Sequence, residues 1–230
     1  MVTRARTRLS HGNETRELIV ATAERLFAEQ GVAAVSNRQV SEAGGQANNS
    51  AVAYHFGTKS DLVLAVVRRH APAIEQRRAE RLAAIRGSHE LRDFLDCLVR
   101  PLTEHLESLG SPSYYARFIA QATTDPTYRQ LVLDETGTSA SMQQTIEGVT
   151  RLLPVLPAEV RAERSEMSRH LIVHLCAERE RALQVGAATP RATWEAAAVG
   201  LVDALVGLWR APYTTVKDLQ TKRKTQKERT

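Results

Sequence analysis

The chain has 230 residues and a hydrophobic fraction of 43%, which suffices for one large domain or for a small domain joined to a larger one. Helix-forming residues dominate and no run alternates β-branched with polar side chains, which argues against a sheet-based fold and favours an all-α protein. The net charge of +5 arises mainly from basic residues at the two ends, 1–16 and 217–230, so charge alone does not argue for nucleic-acid binding.

A first helix is predicted over residues 14–30, after a flexible basic arm at 1–12. Asn13 is placed to cap its start, where the acidic Glu14 suits the positive end of the helix dipole. Gly31 follows the last helical residue, and we expect it in the left-handed conformation that ends many helices.

Two short helices follow, and each has its own start and stop signals. Ser36 and Gln39 have the spacing of a capping box for a second helix, which Gly44-Gly45 ends. A third helix is predicted over residues 50–56. Helices this short are not stable alone, so both must pack on the first helix. We therefore expect a three-helix, helix-turn-helix DNA-binding domain over residues 13–58.

The rest of the chain is predicted to form long helices, the first of which opens with a second capping box at Thr58-Lys59-Ser60-Asp61. Pro72 and Pro101 are expected to kink or break the helices that contain them. These helices would form a larger effector-binding and dimerisation domain over residues 59–212, followed by a disordered basic tail at 213–230. The predicted long helices span 59–86, 89–108, 112–123, 126–152, 157–186 and 190–210.

The third helix has the two faces that a DNA-reading helix needs. Val52 and Phe56 would face its partner helices, whereas Ala51 and the polar residues before it would face base edges. There an asparagine can pair with adenine, and the alanine methyl group can touch that of thymine. Nearby hydroxyl, imidazole and cationic groups suit phosphate oxygens. The predicted DNA-contacting residues are Arg38, Gln39, Asn48, Asn49, Ser50, Ala51, Tyr54, His55, Thr58 and Lys59.

Three short runs carry a resemblance to a known family: Phe27-Ala28-Glu29-Gln30-Gly31, Tyr54-His55-Phe56 and Lys59-Ser60-Asp61-Leu62. With the spacing between them, residues 14–65 resemble the tetracycline-repressor (TetR) family of transcriptional regulators. The turn around Gly45-Gln46 is longer than the common family pattern. The rest of the chain is similar to the family only in its helical layout.

A DNA-binding unit of this size normally acts as a pair, so a dimer interface is expected. The last helix is apolar on nearly every side and must be buried, in part against a partner. The resemblance also implies a homodimer held by an intersubunit four-helix bundle of helices 157–186 and 190–210. The predicted interface residues are Leu171, Trp194, Ala198, Leu201, Val202, Leu205 and Trp209.

The resemblance further implies a cavity for a small, mostly apolar effector among the middle helices. A purely structural core explains the same apolar residues equally well. His170 and His174 have a spacing that suits zinc, but no glutamate lies between them and no third ligand is evident, so we expect neither a metal nor a cofactor. The predicted effector-binding residues are Leu102, Tyr114, Phe118, Gln121, Met142, Ile146, His170 and His174.

The sequence gives no sign of export or membrane insertion. The most apolar segment, 192–209, is interrupted by Glu195 and Asp203, and no apolar run follows the basic first residues. Cys97 and Cys176 lack the spacing of metal ligands and are expected to be buried and reduced. We therefore expect a cytoplasmic protein.

No nucleophile elbow, phosphate loop or carboxylate pair points to an enzyme. The predicted function is a sequence-specific regulator, a repressor that a small apolar effector releases from a palindromic DNA operator. Two alternatives remain open: an architectural DNA-binding factor without an effector, and an all-helical ligand-binding protein whose helix-turn-helix is vestigial.

Overall fold

The computed structural model describes residues 2–45 and 51–214, with side chains from residue 12 onward. Over these ranges the protein is all-α, which confirms the predicted fold class. The helices within them are α1 (Val2–Gln30), α2 (Asn37–Ala43), α3 (Ala51–Phe56), α4 (Lys59–Ala84), α5 (Leu91–Leu109), α6 (Tyr115–Thr124), α7 (Arg129–Gly137), α8 (Ala140–Leu152), α9 (Ala158–Gln184) and α10 (Trp194–Arg210).

Helix α1 begins earlier than predicted. Its start was expected near Glu14, with Asn13 as the cap and an arm before it, whereas the helix runs from Val2. Asn13 is therefore an interior helical residue. The segment from Val2 to Asn13 contains no proline, and its one glycine, Gly12, costs a helix roughly 1 kcal/mol, which does not stop it.

Prolines do not end the helices that contain them. Helix α4 continues through Pro72 to Ala84, and α5 continues through Pro101. Helix α4 packs on α1, α5, α7 and α8, and this burial offsets the hydrogen bond that Pro72 cannot donate.

The predicted helix over 126–152 is two helices instead. Helix α7 ends at Gly137, and Ser139 starts α8 by accepting a hydrogen bond from the Met142 backbone amide at 3.2 Å. The serine side chain provides a start signal that the apolar periodicity alone does not reveal.

Helices α1, α2 and α3 enclose a small apolar core. Phe27, Val40 and Val52, one from each helix, are fully buried, and Val32 and Val35 from the connection between α1 and α2 join them. These residues belong to one hydrophobic cluster that continues into the larger C-terminal part.

Helix α6 joins the two parts directly, because it packs on α1 as well as on α9. The rings of Phe27 in α1 and Phe118 in α6 lie 6.1 Å apart between centroids. Helix α10 packs on α5 and α9. No helix within the described ranges is long and apolar enough to cross a membrane.

Candidate DNA interface and ligand cavity

Three of the predicted helix start and stop signals in and after the helix-turn-helix are confirmed. Ser36 and Gln39 form the predicted capping box at the start of α2. Thr58 and Asp61 form the second one at the start of α4. Gly31 ends α1 with φ of +86°, a left-handed conformation that side-chain-bearing residues rarely adopt.

The short helix α3 has one buried and one exposed side. Val52 and Phe56 are buried as predicted, and Tyr54 is 84% exposed. The His55 ring is half-buried and lies edge-on to the Tyr54 ring at 5.0 Å. Tyr54 is therefore presented to solvent next to a packed imidazole.

The prediction that Ala51 faces DNA is wrong, because Ala51 is only 8% exposed and belongs to the hydrophobic cluster. It shares the buried side of the helix with Val52 and Phe56, toward the partner helices. The alanine on the exposed side is Ala53, which the sequence pattern did not single out. The predicted base readers Asn48, Asn49 and Ser50, and the turn residue Gln46, lie outside the described residues.

Three of the predicted contacts are bonded within the protein. Arg38 pairs with Glu42 at 2.7 Å, and this hydrogen bond and charge raise the pKa of Arg38. Gln39 Oε1 accepts from the Ser36 amide at 2.8 Å, and the Thr58 hydroxyl donates to Asp61 at 2.6 Å. Arg38 and Gln39 are exposed and keep further donors for phosphate, whereas the hydroxyl and the amide of Thr58 both donate to Asp61.

Lys59 lies partly inside the molecule. Its Nζ donates to the Ala33 carbonyl oxygen at 3.3 Å and lies 5.9 Å from the ring centroids of Phe27 and Tyr128. Burial lowers the pKa of Lys59, and the charge of Asp125 opposes this. Lys59 thus bridges the start of α4 to the connection between α1 and α2, a structural role that its sequence position did not indicate.

Arg16 was not predicted as a contact but lies beside α3. Its guanidinium carbon is 4.9 Å from the centroid of the Phe56 ring, and its side chain is half-exposed. An arginine packed on an aromatic ring at the end of a DNA-reading helix can still present donors to phosphate. Only the tertiary structure brings these two residues together.

The C-terminal part contains a large cavity of about 900 Å³. Of the predicted effector residues, Leu102, Met142 and Ile146 line it. The lining also includes Tyr115 and Trp209, which had not been assigned to it. The space is mostly apolar and large enough for a drug-sized molecule.

One side of the cavity is polar. The Glu75 carboxylate accepts hydrogen bonds from the Ser141 hydroxyl and from the guanidinium of the buried Arg78. Burial opposes ionisation of Glu75, but hydrogen bonds from Ser139 and Ser141 and the charge of Arg78 outweigh it and lower its pKa. An ion pair, Glu75 with Arg78, therefore faces a mostly apolar space.

The other five predicted effector residues lie elsewhere. Phe118 is fully buried in the core, and Tyr114 lies under the Arg117 guanidinium at 5.0 Å. Gln121 and His174 line a smaller recess of about 170 Å³. His170 Nε2 is 2.9 Å from a guanidinium nitrogen of its neighbour Arg169. The helical spacing of apolar residues predicts which positions are buried, but it does not show which of these positions line a cavity.

The histidine pair on α9 has its rings nearly parallel, with an interplanar angle of 6° and centroids 5.4 Å apart. Among the described residues, no group of three or more His, Cys, Asp or Glu side chains could hold a metal ion. Cys97 and Cys176 are free and buried, and burial raises the pKa of these thiols to about 11 and about 12.

The predicted dimer residues of α10 are a second correction. They are buried within a single protomer, because α10 packs on α5 and α9. The side of α10 that was expected to face a partner therefore lies in the core of the protomer. Leu171 of α9 is half-buried. The buried residues are Trp194, Ala198, Leu201, Val202, Leu205 and Trp209.

A helix-turn-helix joined to a larger helical domain is the architecture of a class of proteins, the DNA-binding transcriptional regulators. Two family models match these two parts. The model for "Bacterial regulatory proteins, tetR family" matches residues 19–66, and that for "Tetracyclin repressor-like, C-terminal domain" matches residues 96–207. The chain belongs to the TetR family of DNA-binding transcriptional regulators, which bind DNA as dimers and are not enzymes.

Solved structures share the fold. Two crystal structures of NalD, the secondary repressor of the MexAB-OprM multidrug efflux pump in Pseudomonas aeruginosa, are 23% and 22% identical to the chain, with TM-scores of 0.54 and 0.53. They cover 87% and 88% of this chain and 100% of their own. PfmR, a TetR family transcriptional regulator from Thermus thermophilus, is 14% identical over 86% of this chain and 96% of its own, with a TM-score of 0.46. No curated protein matches the chain in the sequence comparison.

Proposed function

We propose that the protein is a cytoplasmic repressor that binds a palindromic operator as a homodimer and leaves it when a small, mostly apolar molecule occupies the 900 Å³ cavity. The single observation that carries this proposal is the combination of that cavity with a helix-turn-helix packed directly against the same helices. The cavity is partly open and its lining is mostly apolar, so an apolar ligand would cover apolar side chains that otherwise contact water.

The exposed side of α3 is the proposed DNA-reading surface. Tyr54 and Ala53 are exposed on it, Arg16 lies beside it, and Arg38 is exposed on the neighbouring helix α2. Base readout by Asn48, Asn49 and Ser50 remains a prediction, as does a phosphate contact from His55, Thr58 or Lys59.

The cavity lining favours a ligand with an apolar body and one polar group. The apolar residues would enclose the body, and the Glu75–Arg78 pair would meet a group that both donates and accepts hydrogen bonds. A fully ionic ligand would leave a charge in an apolar space and is disfavoured.

The proposed dimer surface uses exposed residues of α9 and the small-residue side of α10. Met167 and Leu175 of α9 are 43% and 46% exposed, unusually high for large apolar side chains, and Leu171 lies between them in sequence. On α10, Ala204 and Gly207 are exposed and would allow a partner helix to approach closely.

The experiment is operator selection from random DNA, followed by binding measurements on the selected site. Tyr54→Ala should weaken operator binding on the order of tenfold, as loss of one good contact does. Tyr213→Ala, at the exposed end after α10, is the matched control and should bind as the parent does. Equal operator affinity of Tyr54→Ala and the parent would place the DNA surface elsewhere.

Effector release has its own test with a library of small apolar compounds. Ala71→Phe narrows the cavity, whereas Ala79→Phe places the same ring on the exposed side of the same helix. Compounds that release the operator from the parent and from Ala79→Phe should lose potency against Ala71→Phe. Unchanged potency in Ala71→Phe would contradict the cavity as the effector site.

A further inference from the structure

A buried chain of hydrogen bonds crosses three helices between the cavity and the DNA-binding domain. His70 of α4 is its centre. Its Nε2 is 2.9 Å from a carboxylate oxygen of Glu24 in α1, and its Nδ1 is 2.8 Å from Nε2 of His105 in α5. All three residues are buried, although each is polar.

The carboxylate fixes where the protons lie. Because Glu24 can only accept, Nε2 of His70 carries a hydrogen, and Nδ1 of a neutral His70 then accepts from Nε2–H of His105. This leaves Nδ1 of His105 as a buried nitrogen with no hydrogen-bond partner among the described residues. Arg69 adds a cation 3.5 Å from Glu24. Both hydrogen bonds of this series therefore donate toward Glu24. The series ends at a hydrogen-bonded carboxylate in α1 and at a nitrogen without a hydrogen-bond partner among the described residues in α5.

This series of hydrogen bonds contacts the cavity through two stacked rings. The Tyr115 ring, which lines the cavity, lies 4.0 Å from the His70 ring between centroids, with an interplanar angle of 25°. Ala71, the residue after His70, also lines the cavity. A ligand that moves Tyr115 or the cavity side of α4 therefore moves the imidazole that holds Glu24.

We propose that the Glu24–His70–His105 chain transmits occupation of the cavity to α1, and that His70 is the residue through which the signal passes. This inference rests on the proposed effector response. In the empty protein the charge-assisted bond between His70 and Glu24 holds α1 on α4. Displacement of His70 breaks this hydrogen bond and removes the His70 donor from the buried Glu24 carboxylate. The contact therefore has two states, one with the hydrogen bond formed and one with it broken. Such a two-state contact is what coupling between two sites requires.

The test uses N-phenyl-1-naphthylamine, a neutral apolar dye, as the cavity probe. Its fluorescence reports cavity binding, and fluorescence anisotropy of a labelled operator reports DNA affinity with and without saturating dye. In the parent, the dye should weaken operator binding by about fivefold or more, the lower end of usual coupling factors.

His70→Phe keeps a ring against Tyr115 but removes both hydrogen bonds. It should bind the dye within about threefold of the parent, a difference below 1 kcal/mol, while the effect of the dye on operator binding falls toward none. Glu24→Gln retains an acceptor for His70 and should keep most of the coupling. His89→Phe, the same change at an exposed position between α4 and α5, should behave as the parent. If His70→Phe does not fold by circular dichroism, Glu24→Leu takes its place, because it removes the acceptor of the same hydrogen bond without leaving a buried charge.

Undiminished coupling in the folded His70→Phe or Glu24→Leu protein would overturn the relay and leave the effector response intact. A dye that fails to bind the parent, or binds without changing operator affinity, would overturn the effector response and the relay with it. Loss of coupling in His89→Phe as well would also overturn the relay, since the effect would not depend on the chain.

Discussion

At the scale of single residues, side chains predicted to face DNA also hold the protein together. Lys59 donates to the Ala33 carbonyl oxygen, Arg38 pairs with Glu42, and Gln39 closes the capping box of α2. Substitution of such a residue changes the free energy of unfolding as well as DNA affinity. A binding measurement alone therefore does not assign its role, and a stability measurement must accompany it.

Lys59→Met tests the structural role of the ammonium group, because methionine keeps the apolar stem. Loss of the hydrogen bond to Ala33 should lower the free energy of unfolding by about 1 kcal/mol. Urea unfolding without DNA measures this, and Arg86→Met at an exposed loop position is the control. A Lys59→Met protein as stable as the parent would show that the hydrogen bond to Ala33 does not stabilise the fold.

His105 makes stability depend on pH. Burial lowers its pKa from 6.5 to about 4, together with electrostatic repulsion from His70 whenever that ring is also protonated and with the charge of Arg77. Since the unfolded chain then binds the proton more readily, the stabilisation is complete above pH 6.5 and is lost as the pH falls toward 4.

Between pH 7 and 5 this loss should amount to about 2 kcal/mol, because each pKa unit corresponds to about 1.4 kcal/mol. His105→Gln should flatten the pH dependence of unfolding by that amount, and His89→Gln should not. A parallel pH profile for His105→Gln and the parent would contradict a neutral, buried His105.

At the scale of elements, close packing decides which helices can meet. Helices α5 and α8 pack together at Gly148, where a Cβ would overlap the Phe94 ring. The apolar pattern predicts helix on both sides of this contact but gives no reason for a glycine inside α8. The reason is the aromatic ring of the facing helix.

Gly148→Ala should therefore destabilise the protein by about 1–3 kcal/mol, although alanine favours helix over glycine. Gly137→Ala, near the end of α7, meets nothing within 4 Å and should be neutral or slightly stabilising. Thermal and urea unfolding of the two variants measure the difference. A Gly148→Ala protein more stable than the parent would mean that Phe94 can move aside.

At the scale of the whole molecule, the dimer surface must consist of residues that are exposed in the single protomer. Leu175→Glu, on the exposed side of α9, should weaken dimerisation by about tenfold or more, since burying an unpaired charge is costly. Val155→Glu, on the fully exposed loop before α9, is the matched control. Analytical ultracentrifugation at micromolar concentration measures both. A stable dimer in Leu175→Glu would move the interface away from this part of α9.

Local signals predicted the end of α1 and the starts of α2 and α4, but not the start of α1. Ser36, Gln39, Thr58 and Asp61 lie within one helical turn of the backbone groups they cap, so their spacing alone predicts the caps. The same reasoning missed Ser139, because a long apolar pattern on both sides hid the cap between α7 and α8.

The sequence by itself determined the all-α class, the helix-turn-helix with its caps, and the family, because these depend on residues close together in the chain. Only the tertiary structure decided which apolar side chains enclose a cavity, which side of α10 is buried, and that Ala51 faces inward. It also brought Glu24, His70 and His105 from three helices into one chain. These features depend on the angle and distance at which helices pack, and a helical period gives the faces of each helix but not the neighbour that each face meets.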